Sequence, residues 1–260
     1  MAVTYSNYLK ISELLSLQEP KSEGPEHDEF LFIIIHQVYE LWFKETLHEL
    51  EALSDRLRNN DEPGILRVLK RIRAILKTLV GQVDILETMN PISFESFRDR
   101  LESSSGFQST QFRLIEFKLG KRSEAPLKLH EPESLNFQQL TAGLEEPCIY
   151  DDFLHYLKAN GYPIPDTHLR RDVSQTTEGL PEVQTILIDI YRNDPSRTEV
   201  CELLVDIDEG LQEWRYRHVK MVQRTLGAKI GTGGSKGAAY LITTLFTPLF
   251  PDLWEIRSEF

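Results

Sequence analysis

Two histidines lie in apolar stretches of the sequence, where an imidazole is costly to bury without a bonding partner. His36 follows Phe32 by one helical turn, and His218 lies at helical spacing between Trp214 and Met221. Either histidine alone is typical of a core residue that a neighbour satisfies with a hydrogen bond. Together they also suit a metal, since neutral imidazole is a common ligand and a single helical histidine often holds a non-covalent b-type haem. Both interpretations remain open on these residues alone.

Other metal and cysteine chemistries are disfavoured by spacing. The sequence has no HExxH motif, and the HxE pattern at 27 to 29 is more typical of a helix start than of a facial triad, so a zinc hydrolase is not predicted. Cys148 and Cys201 form no CxxC pair, which excludes a disulfide scaffold, a cysteine-rich zinc site and covalent haem attachment. The remaining histidines lie in polar or loop surroundings, where we expect them to be solvated: His27, His48, His130, His155 and His168.

An arginine and a glycine-rich loop are candidates for binding an anionic small molecule. Arg98 lies beside Phe94 and Phe97, and it is either the partner of a carboxylate in the protein or a bidentate clamp on a ligand carboxylate. The loop from Gly231 to Gly237 either offers backbone N–H groups to an anion or is a flexible connector. It does not fit the P-loop pattern and it follows a helix, so nucleotide binding is not predicted.

Composition and charge restrict the class of protein. The 260 residues include 29 Lys and Arg against 41 Asp and Glu, and the formal net charge of -12 disfavours nucleic acid and anionic membranes as partners. No stretch reaches the roughly 18 uncharged apolar residues of a membrane span, and the N-terminus lacks the apolar core of a signal peptide. We therefore expect a cytoplasmic protein that is neither exported nor membrane-spanning.

The elements that must position these residues are helices. Apolar residues recur at spacings of three and four, without alternating β patterns, over 28 to 59, 63 to 89, 108 to 119, 181 to 193 and 196 to 226. Ser196 and Glu199 have the spacing of a capping box at the start of the last range, and Gly227 ends it. Residues 122 to 180 predict a smaller insertion of brief helices and loops. We predict a single all-α domain over 1–260, a bundle of long antiparallel helices.

Four segments of the sequence together resemble one known family. They read FLFIIIHQVYELWFKE at 30 to 45, ETMNPISFESFR at 87 to 98, SSGFQSTQFRLIEFKLG at 104 to 120 and RHVKMVQRTLGAKIGTGGSKGAAYL at 217 to 241. With TYSNYLKISELLSLQ near the start and LFPDLWEIRS near the end, they closely resemble the haem-dependent tryptophan 2,3-dioxygenase family. The resemblance covers almost the whole chain in family order and is least distinctive over 122 to 180.

The resemblance implies a haem b in the core of the bundle, ferrous in the active state, with His218 as the axial ligand of the iron. It implies His36 as the catalytic residue on the distal side, beside O2 and the indole ring. Arg98 would hold the substrate carboxylate, and residues 1–20 would reach a neighbouring subunit of a homotetramer. The substrate-binding residues implied in this way are Phe32, Phe94, Arg98, Ser105, Gly106, Thr232, Tyr5 and Tyr8.

The activity implied is cleavage of the indole C2–C3 bond of L-tryptophan by O2 to give N-formylkynurenine, in tryptophan catabolism by the kynurenine pathway. Val38, Asn90 and Phe94 depart from the commonest wording of the family. These departures leave open a haem monooxygenase that converts a substituted tryptophan, such as β-methyltryptophan, to a 2-oxindole in a natural-product pathway. A non-catalytic haem or tryptophan sensor is a second alternative, and a purely structural helical oligomer is a third.

Overall fold

Every regular element is helical in the residues that the structure, a computed structural model, describes, namely 2–24, 26–227, 229 and 241–260. The predicted all-α class is therefore confirmed. The α-helices are α1 (Tyr5–Tyr8), α2 (Ile11–Leu14), α3 (His27–Arg58), α4 (Glu62–Leu86), α5 (Pro91–Arg98), α6 (Thr110–Lys118), α7 (Leu135–Glu145), α8 (Ile149–Ala159), α9 (Asp166–Leu169), α10 (Pro181–Asn193), α11 (Pro195–Leu226) and α12 (Pro251–Glu255). Short 3-10 helices cover Asp99–Leu101, Gly106–Gln108, Ala125–Leu129 and Ile256–Glu259.

Among the described helices, none combines the length and the apolar character that crossing a membrane requires.

The centre of the fold is the pair of long helices α3 and α4, which pack face to face. A short turn joins them, and Asp61 caps α4 by accepting a hydrogen bond from the Gly64 N–H at 3.2 Å. Their apolar residues, at spacings of three and four, form contiguous stripes. Leu50 on α3 and Leu69 on α4 are both fully buried in the core between the helices.

Helix α11 packs against α4 and runs in the same direction, whereas α3 is antiparallel to both. Three ion pairs between α4 and α11 show this direction, because the residue numbers rise together on the two helices. The pairs are Lys70–Glu199, Arg73–Asp206 and Asp84–Arg217, at 2.8, 2.6 and 2.6 Å. Such exposed pairs contribute little free energy each, about 0 to 1 kcal/mol. They show the register in which α11 lies along α4.

The predicted insertion at 122 to 180 is built from α7, α8, α9 and a 3-10 helix, joined by loops. Helix α8 is part of the core, because Phe153 and Leu154 are fully buried and the helix packs on α3. Its Asp152 accepts a hydrogen bond from Arg58 Nε at 2.8 Å, which fixes α8 to the end of α3.

The predicted capping box of Ser196 and Glu199 is wrong. Helix α11 begins one residue earlier, and Asp194 caps it by accepting a hydrogen bond from the Arg197 N–H at 3.1 Å. An aspartate ahead of Pro195 is an equally good cap, since proline suits the first helical position. The predicted end of the helix is confirmed, because Gly227 follows it with φ at 61°.

We expect Leu69→Ala to lower the free energy of unfolding by about 2 to 5 kcal/mol, because it leaves a cavity between α4 and its neighbours. Urea unfolding followed by circular dichroism measures this. Leu135→Ala is the matched control, since Leu135 is 68% exposed at the start of α7, and it should change stability by roughly 0.5 kcal/mol or less. Equal losses in the two variants would contradict the core placement of Leu69.

Candidate active site

A cavity opens where α3, α6 and α11 meet beside the end of α4. Its described wall is mainly aromatic and aliphatic, and its polar groups are few. The lining residues are Phe32, His36, Tyr39, Glu40, Phe43, Val83, Leu86, Met89, Phe94, Ser105, Gly106, Phe107, Ser109, Phe112, Arg113, Glu116, Trp214, Arg215, His218, Val219, Met221, Val222, Thr225, Leu226, Leu241 and Thr244. A mostly apolar cleft with a small number of convergent polar groups is the usual form of a cofactor or ligand site.

His218 enters this cavity from α11 and is held there by stacking. Its ring lies parallel to that of Trp214, with the centroids 5.3 Å apart and an angle of 3° between the planes. Burial, together with the nearby His36 and Arg113, lowers the pKa of His218 to about 4, so the imidazole is neutral near pH 7. Within the described part of the chain neither ring nitrogen has a hydrogen-bond partner, so a nitrogen lone pair is left for a ligand of another kind.

His36 belongs to α3 and lines the same cavity. Its Nδ1 lies 2.7 Å from the carbonyl oxygen of Phe32, which can only accept, so Nδ1 carries the proton and donates. Nε2 is then an acceptor with a free lone pair. Desolvation lowers the pKa of His36 and outweighs the opposing effects of the Phe32 carbonyl and of Glu40, so this imidazole is also neutral.

Aromatic contacts hold the surrounding helices in place. Phe32 packs against Phe94 and Phe97 of α5, with centroid distances of 5.9 and 5.6 Å, and this fixes α5 beside α3. On the other side Trp214 contacts the ring of Phe112 at 4.8 Å and that of Phe43 at 6.1 Å. The Trp214 ring on which His218 stacks is thus itself fixed by α3 and α6.

The polar part of the wall is a set of charged side chains that the sequence analysis did not identify. Glu116 of α6, 4% exposed, accepts hydrogen bonds from Arg113 and from Arg215. Arg215 is equally buried, and its Nη1 has no hydrogen-bond partner among the described residues. The spacing of Arg113 and Glu116, three residues apart on one helix, signals an ion pair. Nothing in the sequence pattern shows that both face a cavity.

Glu40 of α3 supplies a further charge to the cavity wall. Its carboxylate accepts hydrogen bonds from Ser109 Oγ at 2.6 Å and from Gln111 Nε2 at 2.8 Å. These bonds join α3 to the start of α6. Ser105 and Gly106 follow nearby, and a Cβ atom at Gly106 would meet no heavy atom within 4 Å, so the backbone there borders open space.

The structure brings together most of the predicted site residues. Those that line the cavity are Phe32, His36, Phe94, Ser105, Gly106 and His218. Arg98 is not among the described lining residues: it ends α5, one turn after Phe94, and its guanidinium lies 3.8 Å from the Glu95 carboxylate. Tyr5 and Tyr8 of α1 are 75% exposed, outside the described wall of the cavity. Thr232 lies outside the described residues.

The donor set of the cavity suits one kind of metal site. Across the described residues no three histidine, cysteine or carboxylate side chains lie close enough together to hold a metal ion. A neutral imidazole supplied by one helix to an apolar wall, with cationic groups beside it, instead suits the iron of a porphyrin that carries carboxylate groups. The residues present therefore fit a haem.

Comparison with known proteins identifies one family. The family model of tryptophan 2,3-dioxygenase matches residues 1–145 and 166–260. The tryptophan 2,3-dioxygenase of Herpetosiphon aurantiacus is 57% identical, covering 99% of this chain and 98% of the relative. That of Anaeromyxobacter sp. (strain K) is 51% identical over 99% and 96%, and that of Caulobacter vibrioides is 42% identical over 99% and 98% of the two chains.

Proposed function

The chain belongs to the tryptophan 2,3-dioxygenase family, and from this premise we propose how its own residues perform the reaction. The protein is a haem-dependent oxidoreductase that cleaves the indole C2–C3 bond of L-tryptophan with O2 and gives N-formylkynurenine. The residue assignments rest on one observation, which is that two neutral imidazoles, those of His36 and His218, line the same apolar cavity. We propose that residues 1–260 form one catalytic domain.

His218 is the residue that would hold the haem b iron. It is neutral, it has a free lone pair, and Trp214 fixes its ring. Arg113 and Arg215 are the cations of the described wall, and they would pair with the propionate carboxylates. When bound in the ferrous state, the haem supplies the binding and activation of O2. The apolar rings around it exclude water from the reaction.

His36 orients the substrate instead of deprotonating it. Its Nε2 is an acceptor that faces the cavity, so it suits the N–H of an indole ring. A neutral imidazole whose pKa is lowered by burial is a weak base, and an indole N–H is a very weak acid. The hydrogen bond that His36 Nε2 would accept from the indole N–H therefore orients the ring so that its C2–C3 edge is presented to O2.

The amino acid part of the substrate needs separate contacts. Phe32 and Phe94 form an aromatic wall suited to the indole, and Ser105 and Gly106 border the open space beside it. We assign the carboxylate to Arg98, whose side chain is 19% exposed one turn after Phe94, and the ammonium region to Thr232. A guanidinium meeting a carboxylate out of water contributes about 1.5 to 3 kcal/mol.

We propose that the protein is a homotetramer in which residues 1–20 complete a neighbour's site. The start of the chain exposes several large apolar side chains: Val3, Tyr5, Tyr8, Leu15 and Leu17 are 60 to 78% exposed. The base of the segment is fixed, because Gln37 Nε2 donates to the Leu17 carbonyl at 2.9 Å and Gln18 donates to Gln37 at 2.7 Å. An apolar end projecting from a fixed base supports docking on another subunit.

We also propose the compartment in which the protein works and the pathway that its product enters. Cys148 and Cys201 are both free and buried, which is typical of proteins from a reducing compartment, and we place the protein in the cytoplasm. The kynurenine pathway of tryptophan catabolism would use the product. A substituted tryptophan is the alternative substrate, and it is an outcome that the product assay below distinguishes.

The proposed reaction predicts that both atoms of O2 enter the product. Purified holoprotein, reduced and given L-tryptophan under 18O2, should yield N-formylkynurenine with two labelled atoms, measured by mass spectrometry. β-Methyltryptophan assayed in parallel tests the substituted substrate. One labelled atom in a 2-oxindole would contradict the dioxygenase assignment in favour of a monooxygenase, and haem and tryptophan bound without turnover would favour a sensor.

We expect His218→Ala to lose nearly all bound haem, because the described wall offers no second imidazole on α11. The Soret absorbance per chain after purification with added haem measures this. His155→Ala, on the exposed surface of α8, is the matched control and should retain the wild-type ratio of haem to protein. Normal Soret absorbance in His218→Ala would overturn the assignment of the iron ligand.

The proposed homotetramer, in which residues 1–20 complete a neighbour's site, predicts that light scattering of the wild-type protein gives the mass of four chains. In the double variant Tyr5→Ala, Tyr8→Ala we expect KM for tryptophan to rise by about tenfold, since the loss of each ring removes roughly 0.5 to 1.5 kcal/mol of favourable contact energy. Haem content should not change. Lys10→Ala, on the same exposed segment, is the control. A fully active monomer would disprove the shared site.

A further inference from the structure

Four charged side chains form a partly buried cluster where α6 and the residues just after it meet α11, which we call the charge cluster: Arg113, Glu116, Lys121 and Arg215. Glu116 is at its centre. Its Oε1 accepts hydrogen bonds from Arg215 Nη2 at 2.7 Å and from Lys121 Nζ at 3.0 Å, and its Oε2 accepts from Arg113. One carboxylate thus organises three cations, and the protein groups of the cluster alone carry an excess of positive charge, before any propionate pairs with them.

The cluster lies beside the residue that would bind iron. Arg215 precedes His218 by three residues on α11, so both side chains project from nearly the same face of the helix. Arg113, Glu116 and Arg215 line the cavity together with His218. Glu116 therefore joins α6 to α11 within one turn of the imidazole.

Burial makes these charges effective over distance. The side chains of Glu116 and Arg215 are 6% and 5% exposed, and a charge in such surroundings is screened far less than one at the surface. Burial alone would raise the pKa of Glu116, but Arg113, Lys121 and Arg215 outweigh it and hold that pKa below its usual value. The carboxylate is therefore ionised. The other carboxylate in the described wall, Glu40, is not part of the cluster, because Ser109 and Gln111 donate hydrogen bonds to it.

We propose that the charge cluster sets the reduction potential of the haem iron, with Glu116 as the positioning residue that holds Arg215 and Arg113 beside it. This inference rests on the proposed function, because it requires haem on His218. Reduction of ferric to ferrous iron removes one positive charge from the haem. Nearby cations therefore favour the ferrous state that binds O2, whereas a nearby carboxylate opposes it.

The test is the midpoint potential of the holoprotein, measured by spectroelectrochemistry at neutral pH in charge-neutralising variants. Glu116→Gln should shift the potential to more positive values, because it removes the anion and leaves the cations. Arg215→Gln should shift it to more negative values. We expect the ratio of ferrous to ferric protein at a fixed applied potential to change severalfold in each case, in opposite directions.

Two controls separate this effect from the net charge of the protein. Glu51→Gln on α3 and Arg224→Gln on α11 change the same charges at exposed positions, and both should leave the potential close to that of the wild type. Lys121, whose side chain is 25% exposed, provides a variant that keeps the most buried groups. If Glu116→Gln does not fold, the two single variants Lys121→Gln and Arg215→Gln test the proposal. Each removes one cation and should lower the midpoint potential.

The outcomes distinguish this inference from the proposed function. Shifts of the same sign in Glu116→Gln and Arg215→Gln, or shifts no larger than those of the controls, would overturn the role of the charge cluster while leaving haem binding intact. A wild-type protein that takes up no haem would instead overturn the proposed function. Haem content measured on every sample tells the two cases apart.

Discussion

The site depends on one constraint, which is that an imidazole must remain uncharged in an apolar wall and still face open space. Burial keeps His218 neutral, but burial alone does not aim its lone pair. The orientation of the ring is set by Trp214, which lies parallel to the imidazole and is in turn packed against Phe43 and Phe112. Rings from three different helices thus hold the imidazole that we propose as the iron ligand.

The register of α11 is fixed by contacts of a different kind. Its apolar face packs along α4, surface ion pairs with α4 accompany that packing, and Glu116 joins its inner face to α6. An error of one residue in this register would rotate His218 by about 100°, since each residue turns a helix by that angle. The surface pairs contribute little free energy of their own, so the packing of the apolar faces decides the register.

The sequence predicted the long helices well because each buries one apolar face, and that face repeats every three to four residues. His36 and His218 were identified for the same reason, as polar residues on apolar faces. The charge cluster was missed, since contacts between Glu116 and Arg215 join distant parts of the chain and leave no periodic signal. The capping residue of α11 was misassigned because Asp194 and Ser196 are both good caps, and only the backbone geometry decides between them. Helix α8 lies in the stretch that the family model leaves unmatched, yet it is among the most buried parts of the fold.

The parallel arrangement of α4 and α11 has a topological consequence. Two neighbouring helices that point the same way require a crossover connection that returns along the whole bundle. Here the residues between α4 and α11 include Phe94, Gly106 and Phe112, so this connection also supplies part of the cavity wall. A substitution in this connection can therefore change the shape of the cavity while α3, α4 and α11 keep their packing.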